Sequence, residues 1–257
     1  AGFESIYGLR EEFFKLDHIY KHHGDQHVDI VHQNPEIFGF EVYKKSKRAL
    51  RGEQGLIFLF IRLHQRKEVI PLKDYITYQY LVAHNPDPNL RTPEGNVKYA
   101  VNIDIDGWSE VLEELNKLPP EFMCLSNKDA LSHLKRKVLG INLPQIYLKE
   151  LSENMHNPII CIGEGAWTGG HEENLRMRAI NINHGPKGSH WYTIDHKDVP
   201  RLREVVKKEY KIDIHKCEGL WFADLDFLLR HKLEVQYFIQ HKGDIVKLKY
   251  DEDLINL

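Results

Sequence analysis

The 257-residue chain sets 35 Lys and Arg against 38 Asp and Glu, a formal net charge of −3 with the two signs well mixed. That balance makes no field that argues for direct nucleic-acid binding or for a membrane surface, so partners must be argued from a site. No stretch reaches the roughly 20 apolar residues of a membrane span, and the three cysteines, Cys124, Cys161 and Cys217, form no C-x-x-C pair, which suits a reducing compartment and argues against an all-cysteine zinc site.

In chain order, the sequence lacks an initial Met, and we expect it to be a piece of something longer. Spacing predicts a helix over about Ile6 to Leu16, an apolar run at Gly55 to Arg62 and a helix around Leu72 to Val82. A Pro-, Asn- and Gly-dense loop follows from His84 to Asn96, and the boundary between two regions, 1–95 and 96–257, is expected there. Alternation predicts a strand over Lys98 to Asp104. A helix from Ser109 to Leu118 should stop at Pro119-Pro120, and another should run from Ser126-Asn127 to Val138. Beyond Gly140 strands dominate: Gln145 to Lys149, Ile159 to Ile162, Met177 to Asn183, Ser189 to Ile194, Val235 to Gln240 and Gly243 to Leu248. Two helices interrupt them, one capped by Asp198 with Pro200 in its first turn and ending near Tyr210, the other from Asp224 to about His231. Many short strands with a few helices point to a barrel or sandwich, a mainly β fold.

The segment Thr168 to Asn174 reads TGGHEEN. On an extended segment His171 and Glu173 share a face, so one imidazole nitrogen and one carboxylate oxygen can converge on a single ion, the local half of a two-histidine, one-carboxylate triad. The protease-like start His171-Glu172 leads nowhere, because position 175 is Leu. Paired His22-His23 and the scattered His184, His190 and His196 read as surface or loop histidines without a carboxylate at ligand spacing. Trp167, Trp191 and Trp221 read as packing residues.

These residues stand in an ordered series: Asn102-Ile-Asp, Glu114 to Pro119, Leu131-Ser-His, Val138 to Asn142, Gln145 to Lys149, TGGHEEN, Ile180 to Pro186, His190-Trp191, Leu220-Trp221, and Phe238 to Val246. The series resembles the Jumonji-C (JmjC) family of Fe(II)- and 2-oxoglutarate-dependent oxygenases, most closely its branch that demethylates lysine 27 of histone H3. It covers about residues 98 to 248, with weaker similarity at Tyr7-Gly-Leu and Lys15-Leu-Asp17.

The resemblance implies a double-stranded β-helix (cupin or jelly-roll) core with flanking α-helices over 96–257, preceded by a helical or mixed region over 1–95. It implies iron ligands at His171 and Glu173, and Lys149, Thr168 and Asn181 on 2-oxoglutarate, Lys149 as a charge-assisted donor to its distal carboxylate. Tyr147 would line the pocket for the methylated ammonium. Ala179 stands where the family often has serine. The implied reaction couples oxidative decarboxylation of 2-oxoglutarate to hydroxylation of an N-methyl group, with release of formaldehyde. A histone H3 tail peptide, chromatin complex subunits and a nuclear location follow from that substrate.

Two departures stand out. About a dozen residues are inserted between Lys149 and Thr168, and no histidine follows His241, whereas the family's third iron ligand lies about eleven residues beyond the glycine matching Gly243. We therefore expect a domain truncated in its last strand, and three readings stay open: an active demethylase, a JmjC-like module that binds a histone tail or chromatin partner without turnover, or a non-oxygenase cupin-like binding domain.

Overall fold

The computed structural model describes residues 7–33, 67–84, 97–120, 122, 145–149, 168, 170, 179–184, 188–211, 213–214 and 225–248. The segments expected at 55–62, 126–138 and 159–162, together with His171 and Glu173, lie outside them.

The predicted amino-terminal helix is displaced. Gly8 takes a left-handed φ of 66°, Arg10 and Lys15 are extended, and a single 3₁₀ turn (Glu11–Phe14) separates them. The long-range bond from the Arg10 backbone N–H to the Glu114 carboxylate, 3.0 Å, takes that donor out of the helical path. Helix α1 (Leu16–His23) follows, with Ile19 in the core and Lys21, His22 and His23 at the end where a helix dipole favours cations. Strand β1 (His27–Gln33) buries Val28, Ile30 and His32 on one face, and on the other leaves Asp29 exposed while burying Val31. Strand β2 (Lys67–Pro71) runs into α2 (Leu72–His84), whose Leu72, Tyr75 and Ile76 form a fully buried stripe at helical spacing. Strand β3 (Val97–Asp104) and α3 (Ser109–Leu115) stand where the sequence puts them, α3 ending before the two prolines.

With β4 (Gln145–Lys149) these strands form an antiparallel sheet in the order β2-β1-β3-β4, two strands from each side of residue 95. One face, through Val28, Ile30, Ile70 and Ala100, packs under α1, α2 and α3 together with Val111, Leu112 and Leu115. Gly24 allows that closeness: a β-carbon there would stand 2.3 Å from the Tyr20 carbonyl oxygen and 2.9 Å from Lys73 Cβ. The Gly24 carbonyl accepts from the Lys73 N–H at 2.8 Å. Gly24→Ala is expected to push α1 off α2 and to destabilise the chain by about 1–3 kcal/mol, read from urea unfolding.

The remaining strands pair in twos. Strand β5 (Ala179–Ile182) runs antiparallel to β8 (Ile245–Leu248), and β6 (Ser189–Ile194) to β7 (Val235–Gln240). Helices α4 (Val199–Tyr210) and α5 (Leu225–Arg230) cover β6 and β7, burying Ile194, Leu202, Val206, Phe227 and Leu228. Pro200 sits in the first turn of α4 as expected, but Asp198 does not cap it; its Oδ2 accepts instead from the Glu234 backbone N–H, 3.0 Å, tying α4 to the start of β7. Among the described residues helices take about as many positions as strands, the three sheets do not close into a barrel, and no helix is long and apolar enough to cross a membrane.

Candidate active site

The face of the four-stranded sheet away from the helices carries the first cluster. Tyr99, next to the core residue Ala100 and so on the opposite face, is buried and lies opposite Val31 on one side and at the register position of Lys149 on the other. Its phenolic oxygen meets Thr168 Oγ1 at 3.3 Å. Two residues expected to hold 2-oxoglutarate, Lys149 by backbone register and Thr168 by contact, thus meet at Tyr99. In the sequence Tyr99 is one aromatic of an alternating strand, and a partner 69 residues on leaves no local signal. Tyr147 lies on β4 two residues before Lys149.

Asn181 sits in β5 opposite Val246. It is held by Gln240 at the end of β7: Gln240 Nε2 donates to the Asn181 backbone oxygen and to Asn181 Oδ1, both at 3.1 Å, and to the Asp244 carbonyl at 3.1 Å. The buried Gln240 Oε1 accepts from Trp191 Nε1, 2.8 Å. An indole N–H only donates, which fixes the orientation of the Gln240 amide and aims its donor end at Asn181. With Asn181 Oδ1 engaged, its Nδ2 is the end left to donate to a carboxylate or carbonyl. Trp191 packs flat on Phe238 over Val246, as a packing residue should. Asn183, on the same strand, donates through Nδ2 to the Gln240 carbonyl at 2.9 Å.

A second cluster lies on the helical side, and here the structure corrects the sequence reading. His23 has a carboxylate partner after all: His23 Nε2 lies 2.5 Å and His18 Nε2 3.2 Å from Glu110 Oε1. Glu110 comes from the first turn of α3, 87 residues from His23 in sequence, so local spacing could not reveal it. Burial raises the Glu110 carboxyl, but its own backbone N–H and the His23 and His18 rings outweigh that and hold it at about 2. Of the other histidines, His184 stacks on Phe14 and His190 bonds Tyr237 Oη through Nδ1, 2.6 Å.

Tyr99 thus stands in contact with Thr168 and at the backbone register position of Lys149, and Gln240 clamps the strand residue Asn181. The family model described as "JmjC domain, hydroxylase" matches residues 160–248. Over that segment the chain is similar to JmjC hydroxylases. Human Lysine-specific demethylase 6B is 30% identical over 153 residues, 58% of this chain and 8% of that protein. Lysine-specific demethylase jmjd-3.1 of Caenorhabditis elegans is 22% identical over 223 residues, 77% of this chain and 20% of that protein. The chain therefore spans a small part of the length of each of these relatives.

Proposed function

We propose that this chain is the oxygenase portion of a JmjC histone lysine demethylase, using Fe(II) and 2-oxoglutarate to remove methyl groups from a histone H3 tail at a lysine of the lysine-27 type. Its core would be a double-stranded β-helix, with the four-stranded sheet as one wall and its helices outside. The observation that carries the reading is the Tyr99–Thr168 contact at the register position of Lys149. It supports a pocket whose hydroxyls and ammonium suit a dicarboxylate.

His171 and Glu173 would hold the iron, which supplies oxygen activation when bound. The described residues fit the cosubstrate end of such a site. Lys149, Thr168 and the donor end of Asn181 orient 2-oxoglutarate, Tyr99 braces Thr168, and Tyr147 lines the methyl-lysine pocket. The wall formed by the buried Tyr99 keeps water from the cosubstrate. Human Lysine-specific demethylase 6B carries its activity in its name, and a nuclear location with chromatin partners follows from a histone substrate.

Anaerobic addition of Fe(II) and 2-oxoglutarate is expected to give a weak visible charge-transfer band that His171→Ala abolishes. Mass spectrometry of trimethyl-lysine H3 peptides is expected to show stepwise loss of methyl groups. A metal-loaded chain that binds the peptide and leaves every methyl in place would instead favour the non-catalytic histone-binding module.

A further inference from the structure

We propose that His18, His23 and Glu110 form a separate three-ligand site for a divalent cation of the zinc type, joining α1 to α3. The site uses none of the residues expected to hold iron, and the inference does not depend on the demethylase reading.

Three observations carry it. First, one ligand atom from each residue lies within 4.8 Å of the other two. Ligands about 2.0–2.1 Å from a tetrahedral ion stand roughly 3.3–3.4 Å apart. The His18 Nε2–Glu110 Oε1 separation of 3.2 Å already meets this, and the His23 Nε2–Glu110 Oε1 separation of 2.5 Å needs to open by less than about 1 Å. Small side-chain rotations would admit an ion.

Second, the set is chemically selective. Two imidazoles and one carboxylate suit zinc and its transition-metal neighbours, whereas calcium and magnesium prefer oxygen ligands. The three side chains are 12–26% exposed, which shields them while leaving an open side for a water as fourth ligand.

Third, the ligands are braced. The His23 ring lies flat on Trp108, 4.1 Å between centroids and 7° between planes, and Trp108 is itself buried. Trp108 Nε1 donates to Gln26 Oε1 at 2.8 Å, and Gln26 Nε2 donates to the Asp104 carbonyl at 2.8 Å. His18 stacks on His22, 4.3 Å between centroids, and meets Phe13 at a tilt, 4.9 Å between centroids. Ligands held by their surroundings lose little freedom when a metal arrives. An ion here would staple the first helix to an element 87 residues on, across the core of the four-stranded sheet.

The test uses the full chain carrying His171→Ala and Glu173→Ala, so that the proposed iron pair cannot contribute, after dialysis against a chelator. Titration with Co(II) is expected to give the intense visible bands of a four-coordinate ion at one equivalent, displaced by Zn(II), and Zn(II) is expected to raise the thermal midpoint. In that background Glu110→Gln, which keeps the shape of the side chain, or His23→Ala should weaken zinc binding by at least the roughly 10–100-fold that even an outer partner of a ligand is worth. Without either change, zinc should shift the ring resonances of His18 and His23 selectively. Absence of stoichiometric uptake by the parent, uptake indifferent to both substitutions in chains that keep their near-ultraviolet circular dichroism, or ring resonances that do not move would overturn the proposal and leave a hydrogen-bonded His–Glu–His cluster.

Discussion

Gln240→Glu is expected to destabilise the chain by about 3–5 kcal/mol near neutral pH, although it replaces one nitrogen by one oxygen. Gln240 is 2% exposed, and its Nε2 faces three acceptors: both oxygens of Asn181 and the Asp244 carbonyl. A carboxylate oxygen in that position donates nothing and repels all three, leaving a buried charge with only the Trp191 N–H to accept from. Gln240→Met removes the same hydrogen bonds without adding charge, so it is expected to cost less, about 1–3 kcal/mol, for the orphaned Trp191 N–H and Asn181 oxygens. Urea unfolding of both variants gives the ordering, and equal costs would show that packing, not electrostatics, fixes this corner. The introduced carboxyl can donate once protonated, so the Gln240→Glu penalty should shrink as pH falls. Gln240→Met should also weaken 2-oxoglutarate binding while leaving the peptide's own contacts intact, because Asn181 loses the clamp that aims its donor end.

The contrast between Gln240 and Asn181 shows what could be read from the sequence. Strand positions were legible because alternation is local: β3, β4, β6 and β7 lie where apolar and polar residues alternate, and α2 and α4 where the apolar stripe recurs at helical spacing. Lys149, Thr168 and Asn181 are expected at the site only through an ordered family resemblance, and no periodicity singles them out. Gln240, Tyr99 and Glu110 were missed because each acts on a residue far along the chain: Gln240 on Asn181, Tyr99 on Thr168, Glu110 on His18 and His23. The misplaced amino-terminal helix has the same origin. Its apolar spacing is helical, but the Arg10 N–H is claimed by Glu114, 104 residues away, and Gly8 turns the chain before a helix can begin. Tertiary hydrogen bonds overrode a local preference worth only tenths of a kcal/mol per residue.

Glu114 supplies the second large effect. Its carboxylate has no solvent exposure, yet it accepts from Arg10 Nε at 2.9 Å and Lys117 Nζ at 2.5 Å, besides the Arg10 N–H. Arg10 and Lys117 are each about half exposed, 52% and 49%, so the carboxylate is covered by its own partners rather than sunk in the core. Burial pushes its pKa up, but Lys117 and Arg10 outweigh that and hold it below the usual glutamate range. A carboxyl depressed on folding adds stability that is fully present above its unfolded pKa, about 4.3, and is lost as pH falls through the folded value. Unfolding free energy should therefore drop on acidification through that window, and Glu114→Gln should flatten the drop. Replacing both partners, Arg10→Met with Lys117→Met, keeps the cover but strips the charges. That pair of changes is expected to cost about 3 kcal/mol, the lower end for an uncompensated buried charge, because side chains at the surface can yield to water. The contribution of Glu114 to the pH dependence should then reverse, read as the difference between the double variant with and without Glu114→Gln, because Glu110 and the other depressed carboxyls lose their own stabilisation on acidification in both chains. With only the Arg10 N–H left as partner, burial pushes the Glu114 pKa up, so the cost of keeping Glu114 shrinks as pH falls, and adding Glu114→Gln recovers part of the loss near neutral pH. If keeping Glu114 instead still adds stability that acidification removes, as in the parent, then the two cations do not hold Glu114 ionised, and the link between the Arg10 segment and α3 rests on the backbone bond alone.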